Sequence, residues 1–201
     1  MESTLALGRL ESAIQDGMAL MKRMDRKLLP LALLEGLLLA GGLAHAGPAD
    51  TPLPSFSDGK AAVAVYNAFG VIKHSGLETD FICTNVDTVA VDIGVEVFDE
   101  TGALRNAIAA GSGASLNVSP GRTVTIGTAA TAVFHEDLTL TLNSAGNGTP
   151  ALANGSGRVV ATSKNVSCTA LLADKLHAIG DPALSSVPPP PFTTLPLIKV
   201  P

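Results

Sequence analysis

The ten residues 89–98 constrain the fold more than any other stretch of this 201-residue chain. Val89, Val91, Ile93, Val95 and Val97 alternate strictly with Ala90, Asp92, Gly94, Glu96 and Phe98. Successive side chains of an extended strand point to opposite faces, so this period of two predicts a β-strand with one face buried against a core. Asp99-Glu100-Thr101-Gly102 then supplies turn chemistry, because Gly102 accepts a positive φ. Leu104 begins a return strand.

The same alternation recurs along the chain. Leu138, Leu140 and Leu142 are separated by Thr139 and Thr141, and Val124 and Ile126 alternate with Thr123 and Thr125 after a Pro120-Gly121 turn. Val166, Cys168, Ala170 and Leu172 share one face, and shorter candidates cover residues 62–66, 116–118 and 158–162. Together these predict about 7–9 short antiparallel strands with turns between them, the pattern of a β-sandwich. No long segment with a helical period follows residue 46, which disfavours a parallel α/β fold. Residues 143–157, rich in Gly, Asn and Ser, read as a mobile loop. Residues 174–179 read as a helical turn.

Upstream of the strands the chain has a different character. Lys22, Arg23, Arg26 and Lys27 form a basic cluster, residues 28–43 are Leu-rich, and Ala44-His45-Ala46 offers a small-x-small cleavage site before Gly47. Basic region, short apolar core and small-residue end are the parts of a secretory signal peptide. The apolar stretch is short for a membrane span, which needs about 20 residues. Glu35 interrupts it, and the basic cluster lies far from Met1. Initiation at Met18, Met21 or Met24 reconciles both, while an uncleaved anchor is the alternative. The first 46 residues carry five basic and five acidic side chains, so the whole net charge of -5 lies downstream. That charge disfavours a nucleic-acid partner, which needs a basic surface.

The organisation read from these features is a signal peptide over residues 1–46, a linker over 47–56, a β-sandwich domain over 57–181 and a Pro-rich tail over 182–201. Within the tail, Pro188 to Pro191 force an extended segment. Leu195, Leu197, Ile198 and Val200 then form a last apolar run, which covers the domain's own sheet edge, stays disordered or is offered to a neighbour.

Two cysteines, Cys83 and Cys168, both fall after the leader, each in a strand-like run. An even count in an exported chain reads as a disulfide, here expected to tie facing sheets. Closing so long a loop is worth roughly 4–5 kcal/mol in the chain-entropy model. Two separate buried thiols are the alternative.

Five segments carry a resemblance: Phe81-Ile82-Cys83-Thr84-Asn85, Gly94 to Asp99, Pro120 to Thr128, Gly157 to Ser163, and Cys168-Thr169-Ala170. Over about residues 60–175 the chain resembles an uncharacterised family of exported bacterial β-sandwich proteins, and more loosely immunoglobulin-like and fibronectin-like domains. The resemblance implies a secreted, single immunoglobulin-like antiparallel β-sandwich with one disulfide, and it implies no activity. The sequons at Asn117, Asn147, Asn154 and Asn165 read as coincidences in such a chain.

Residues that carry chemistry are sparse. Ser112 and Ser156 lie between glycines without the spacing of a nucleophile elbow, and His74, His135 and His177 are far apart in sequence. His135-Glu136-Asp137 is the one dense cluster of ligand type. Neighbours on a strand diverge, so a solvated turn is favoured over a metal site there. Asp99 and Glu100 lack the alternating acids of a calcium loop. Aromatics are 3% of the chain, and Phe98, opposite the valine face, either packs at the sheet end or marks an interaction patch.

The sequence therefore points to a non-catalytic exported module for surface association, assembly or scaffolding, with no catalytic residues and no cofactor. A protein or cell-surface partner would engage a sheet edge or the C-terminal strand, and contact with the membrane would run only through an uncleaved leader. A ligand-binding module for carbohydrate or metal is the alternative, and an enzyme a third. Intact-mass analysis of the exported protein is expected to show a chain that begins at Gly47 with both sulfurs oxidised; a chain that retains residues 28–43 with free thiols would overturn this reading.

Overall fold

The computed structural model describes residues 47–143, 150–175 and 192–201. The leader expected over residues 1–46, including Ala44 and Ala46 of the cleavage site, lies outside them, as do His177 and the four consecutive prolines. A one-turn helix, α1 (Gly47–Asp50), comes first. Eight strands follow: β1 (Val63–His74), β2 (Leu77–Asn85), β3 (Val91–Phe98), β4 (Ala114–Val118), β5 (Thr123–Gly127), β6 (Leu138–Thr139), β7 (Leu152–Ala161) and β8 (Val166–Asp174). The C-terminal segment adds β9 (Phe192–Leu195) and β10 (Leu197–Lys199).

Hydrogen bonding links all ten strands, but they form two layers. One has the order β4-β3-β7-β1-β10 and the other β6-β5-β2-β8-β9. All pairings are antiparallel except the short β5–β6 contact. The layers are joined where β1 hairpins into β2 through Ser75 (φ 53°) and Gly76 (φ 84°). Two successive residues with positive φ match the twist of the flanking strands, which suits a tight hairpin. Three register shifts between β1 and β7 bend β1 toward that corner.

Side chains from both layers fill the space between them. Val65 and Val71 of β1, Phe81 of β2, Ile93, Val95 and Val97 of β3, Val124 and Ile126 of β5, and Val159 of β7 are fully or almost fully buried in one cluster. Complete burial of each such aliphatic side chain is worth about 1.5–3 kcal/mol. Phe81 reaches across to β7, where its Cζ stands 3.1 Å from the position a Cβ on Gly157 would take. That close approach explains why β7 runs through Asn154-Gly155-Ser156-Gly157. The Gly-rich stretch read as loop is, from Leu152 onward, a central strand in which Gly157 makes room for the opposite layer and Gly155 for Leu152 and the Phe98 carbonyl.

The expected sandwich is thus present, with four differences of detail. The Cys83–Cys168 disulfide forms, but it joins neighbouring strands of one layer rather than facing sheets: the two residues sit directly opposite in the β2–β8 register, with Cα atoms 4.1 Å apart. Strand β3 is buried on both faces instead of one. Its second face is covered by Phe56, Ala62 and Ile108, which cluster with Val160.

The third and fourth differences concern the boundaries. Residues 47–56, expected as linker, pack onto this second face, and residues 192–201 within the expected tail supply two strands, the first of the three alternatives read for that apolar run. Both described segments pack against the domain expected over 57–181. β9 covers the open side of β8 and β10 that of β1, so the C-terminal segment closes its own domain's edges.

The disulfide closes a loop with a sequence separation of 85. Replacement of both Cys83 and Cys168 by Ala is expected to lower unfolding free energy by about 4 kcal/mol, read as a lower denaturant midpoint at unchanged slope; an unchanged midpoint would refute the structural role.

Candidate functional site

On the outer face of the first layer, β3 and β7 place Glu96 and Arg158 directly opposite each other. The Arg158 guanidinium donates to Glu96 Oε2 from Nη2 (2.6 Å) and Nε (2.9 Å), and both side chains are almost fully buried. The remaining guanidinium protons are directed at the N-terminal segment. Nη1 donates to the carbonyls of Pro48 (2.9 Å) and Thr51 (2.7 Å), and Nη2 to that of Pro52 (3.1 Å). The planar fork of an arginine suits such a set of acceptors. The guanidinium carbon also lies 5.6 Å from the centre of the Phe98 ring. Burial pushes the Glu96 carboxyl above its ordinary range, and the hydrogen bond and charge of Arg158 offset part of that push.

Beside this plug, Asn67 of β1 sits opposite Arg158 on one side and Ile198 of β10 on the other. A pocket of ≈ 320 Å³ opens there between the N- and C-terminal segments, with Leu53, Asn67, Arg158 and Val200 in its lining. The Asn67 Oδ1 atom is buried and accepts no hydrogen bond. Large apolar side chains are exposed here: Leu53, in the pocket lining, is 48% exposed, Ile198, opposite Asn67, 56%, and Phe69, two residues along β1 from Asn67, 55%. The face therefore combines apolar surface with one unused buried acceptor.

The residues singled out from sequence distribute as follows. Phe98 is buried under Arg158 and is not a surface patch; Phe69 carries the exposed ring instead. His135, Glu136 and Asp137 diverge. Glu136 turns inward and accepts from the Thr131 backbone (2.9 Å) and hydroxyl (2.6 Å), whereas Asp137 accepts from the Thr125 amide (2.8 Å) and faces Arg122 (3.4 Å). Among the described residues no three His, Cys, Asp or Glu side chains stand where they could hold a metal ion. Asp99 folds onto its own turn, accepting from the amides of Thr101 and Ala103. The Ser112 hydroxyl is within hydrogen-bond distance of both the amide and the carbonyl of Thr141. His74 lines a pocket at the β1–β2 turn. Gly47 opens α1, and among the described residues no helix is long and apolar enough to cross a membrane.

Arg158, Glu96 and Asn67 were not singled out. The signal for the first two was present: each strand carries one long charged side chain among valines, an expensive arrangement unless the charges meet.

Comparison of the chain with protein-family models, with curated proteins and with solved structures finds no match.

Removal of one partner from a buried ion pair leaves the other charge uncompensated. Arg158→Met is therefore expected to cost about 3–5 kcal/mol and to expose residues 47–56 to proteolysis. Adding Glu96→Leu should recover part of the loss, as seen in denaturant unfolding; equal stability of Arg158→Met and wild type would contradict the anchoring role.

Proposed function

We propose that this chain is a non-catalytic exported β-sandwich protein that works by association, as a surface-association, assembly or scaffolding module, through the outer face of its first layer. One observation carries the reading: Leu53 in the pocket lining, Ile198 opposite Asn67 and Phe69 two residues along β1, from three separate segments, are all exposed apolar side chains. Contiguous apolar surface on a soluble protein marks a place where another molecule docks. The disulfide supports an oxidising compartment, consistent with export. The compartment and the bacterial β-sandwich family of the resemblance belong to the same proposal.

The C-terminal strands are poor candidates for donation to a neighbour, because they already pair with β8 and β1. The apolar face takes their place as the contact surface. A second reading is carbohydrate binding. The exposed Phe69 ring can stack on a sugar.

Sedimentation analysis separates these readings. The wild-type protein is expected to self-associate with rising concentration, and Phe69→Ser with Ile198→Ser to weaken association at least about tenfold without loss of the fold, as expected for exposed apolar contacts. A wild-type protein that stays monomeric and gives a heat signal on titration with glycans favours the sugar reading. One that stays monomeric with flat titrations sinks both.

A further inference from the structure

On the outer face of the second layer, a buried carboxyl stands without a donor. Asp80 of β2 is fully buried, and neither of its oxygens has a hydrogen-bond partner. Asp92, equally buried, receives Lys60 Nζ (2.9 Å) and the Asn117 amide (2.7 Å). Glu96 receives Arg158. Asp80 is thus the exception among these three, and a buried ionised carboxylate without donors is strongly disfavoured.

Its surroundings are acceptors. Asp80 faces Gly127 across the β2–β5 pair. Its Oδ1 fills the space where a Gly127 side chain would begin; the Ala129 carbonyl lies 2.7 Å from that same point and Glu136 Cγ 3.0 Å. A neutral carboxyl can donate to a carbonyl, whereas a carboxylate cannot.

Glu78, two residues along the strand, shows a related deficit of protons. Thr128 Oγ1 accepts from the Thr79 amide (2.9 Å) and also contacts the Ile72 carbonyl (3.0 Å) and Glu78 Oε2 (2.9 Å). One hydroxyl proton cannot serve both oxygens. A backbone carbonyl has no proton to give, so a proton on Glu78 completes the network.

We propose that Asp80, with Glu78 beside it, forms a proton-controlled latch that closes residues 128–137 over the second layer while these two carboxyls are protonated and releases them on their ionisation. The charged groups around the cluster do not replace the proton. Lys175, at the end of β8, reaches Glu78 Oε1 at 3.7 Å, and Lys73 of β1 acts on Glu78 at longer range. His74 shares the pocket that Lys73, Lys175 and Glu78 line. Asp174 borders Gly76, and Asp137 is turned toward Arg122. His135, beside Glu136, is exposed. From β8, the residue opposite Asp80 is Leu171. None of these gives Asp80 a donor.

Electrostatics agree with the geometry. Burial, reinforced by the charges of Glu136 and Glu78, pushes the Asp80 carboxyl up to about 7. Burial also raises Glu78, against the Thr128 hydrogen bond and the charges of Lys175 and Lys73. For an acid raised from an unfolded value of about 3.9, the closed form is fully favoured below that value and loses its advantage as pH rises through the folded value. The covering segment is also held by the Thr128 amide to the Thr79 carbonyl (2.8 Å), by Asp137 accepting from the Thr125 amide (2.8 Å), by the Ala132 amide to the Lys175 carbonyl (3.3 Å) and by the Phe134 ring against Phe192 (5.5 Å between centres).

The test is hydrogen exchange on the full chain at pH 5 and pH 8.5, corrected for the intrinsic rate. Amides of residues 128–137 are expected to lose protection at least about tenfold at the higher pH, one pKa unit's worth of bias. Asp80→Asn, which keeps the shape and cannot ionise, should hold equal protection at both. Equal protection in the wild type, or an undiminished loss in Asp80→Asn, overturns the latch. Should that variant fail to fold, titration of the Asp80 carboxyl carbon by NMR in the wild type decides: a midpoint near 7 supports the latch, and one in the ordinary carboxylate range overturns it. Restored protection on adding calcium at pH 8.5 would make the ligand a cation and overturn the proton assignment.

Discussion

The Glu96–Arg158 pair allows β3 and the second half of β7, within one layer of this sandwich, to be buried on both faces. A two-layer β fold ordinarily leaves the outer face of each sheet to water, with polar side chains there. Here that face carries a full ion pair out of contact with solvent, and the cost of desolvation is met because every exposed proton of the guanidinium finds an acceptor. Three of those acceptors are backbone carbonyls of residues 48–52, so the N-terminal segment is bound by the side chain it covers. Phe56 and Ile108 then close the remaining surface around Val160.

Residues 47–56 and 192–201 share a task. Without residues 192–201, the edges of β1 and β8 would present unpaired backbone groups, a template for unwanted strand pairing. Pro196 lies between β9 and β10, so the chain leaves one layer at that point and joins the other, closing an edge of each. The N-terminal segment covers a face where the C-terminal segment covers edges, and the apolar surface around Asn67 lies where the two approach each other. The disulfide acts at a separate point, fastening β2 to β8 within the other layer.

Much of this arrangement was legible residue by residue. Strict alternation identified β3 and its valine face, the Thr-rich runs identified β5, and the two cysteines were paired correctly. Three features were not legible, for different reasons. Gly155 and Gly157 look like loop residues because local preference disfavours glycine in a strand; the clearance Gly157 gives Phe81 and Gly155 gives Leu152 and the Phe98 carbonyl exists only once the strands are assembled. Arg158 and Glu96 are 62 residues apart, and their meeting depends on strand register. Glu136 stands in sequence beside His135 and Asp137, but its charge acts on Asp80 of β2, far away in sequence.

The sequence by itself determined the class of structure, because side-chain period and turn chemistry are local properties that any strand must satisfy before it meets a partner. It also determined the sulfur pairing, since only two cysteines were present to pair. Tertiary structure decided which charges are neutralised, which faces are covered and where the disulfide sits relative to the layers. Those outcomes depend on contacts between segments distant in the chain, and the free energy of a buried charge is set by its neighbours in space rather than in sequence.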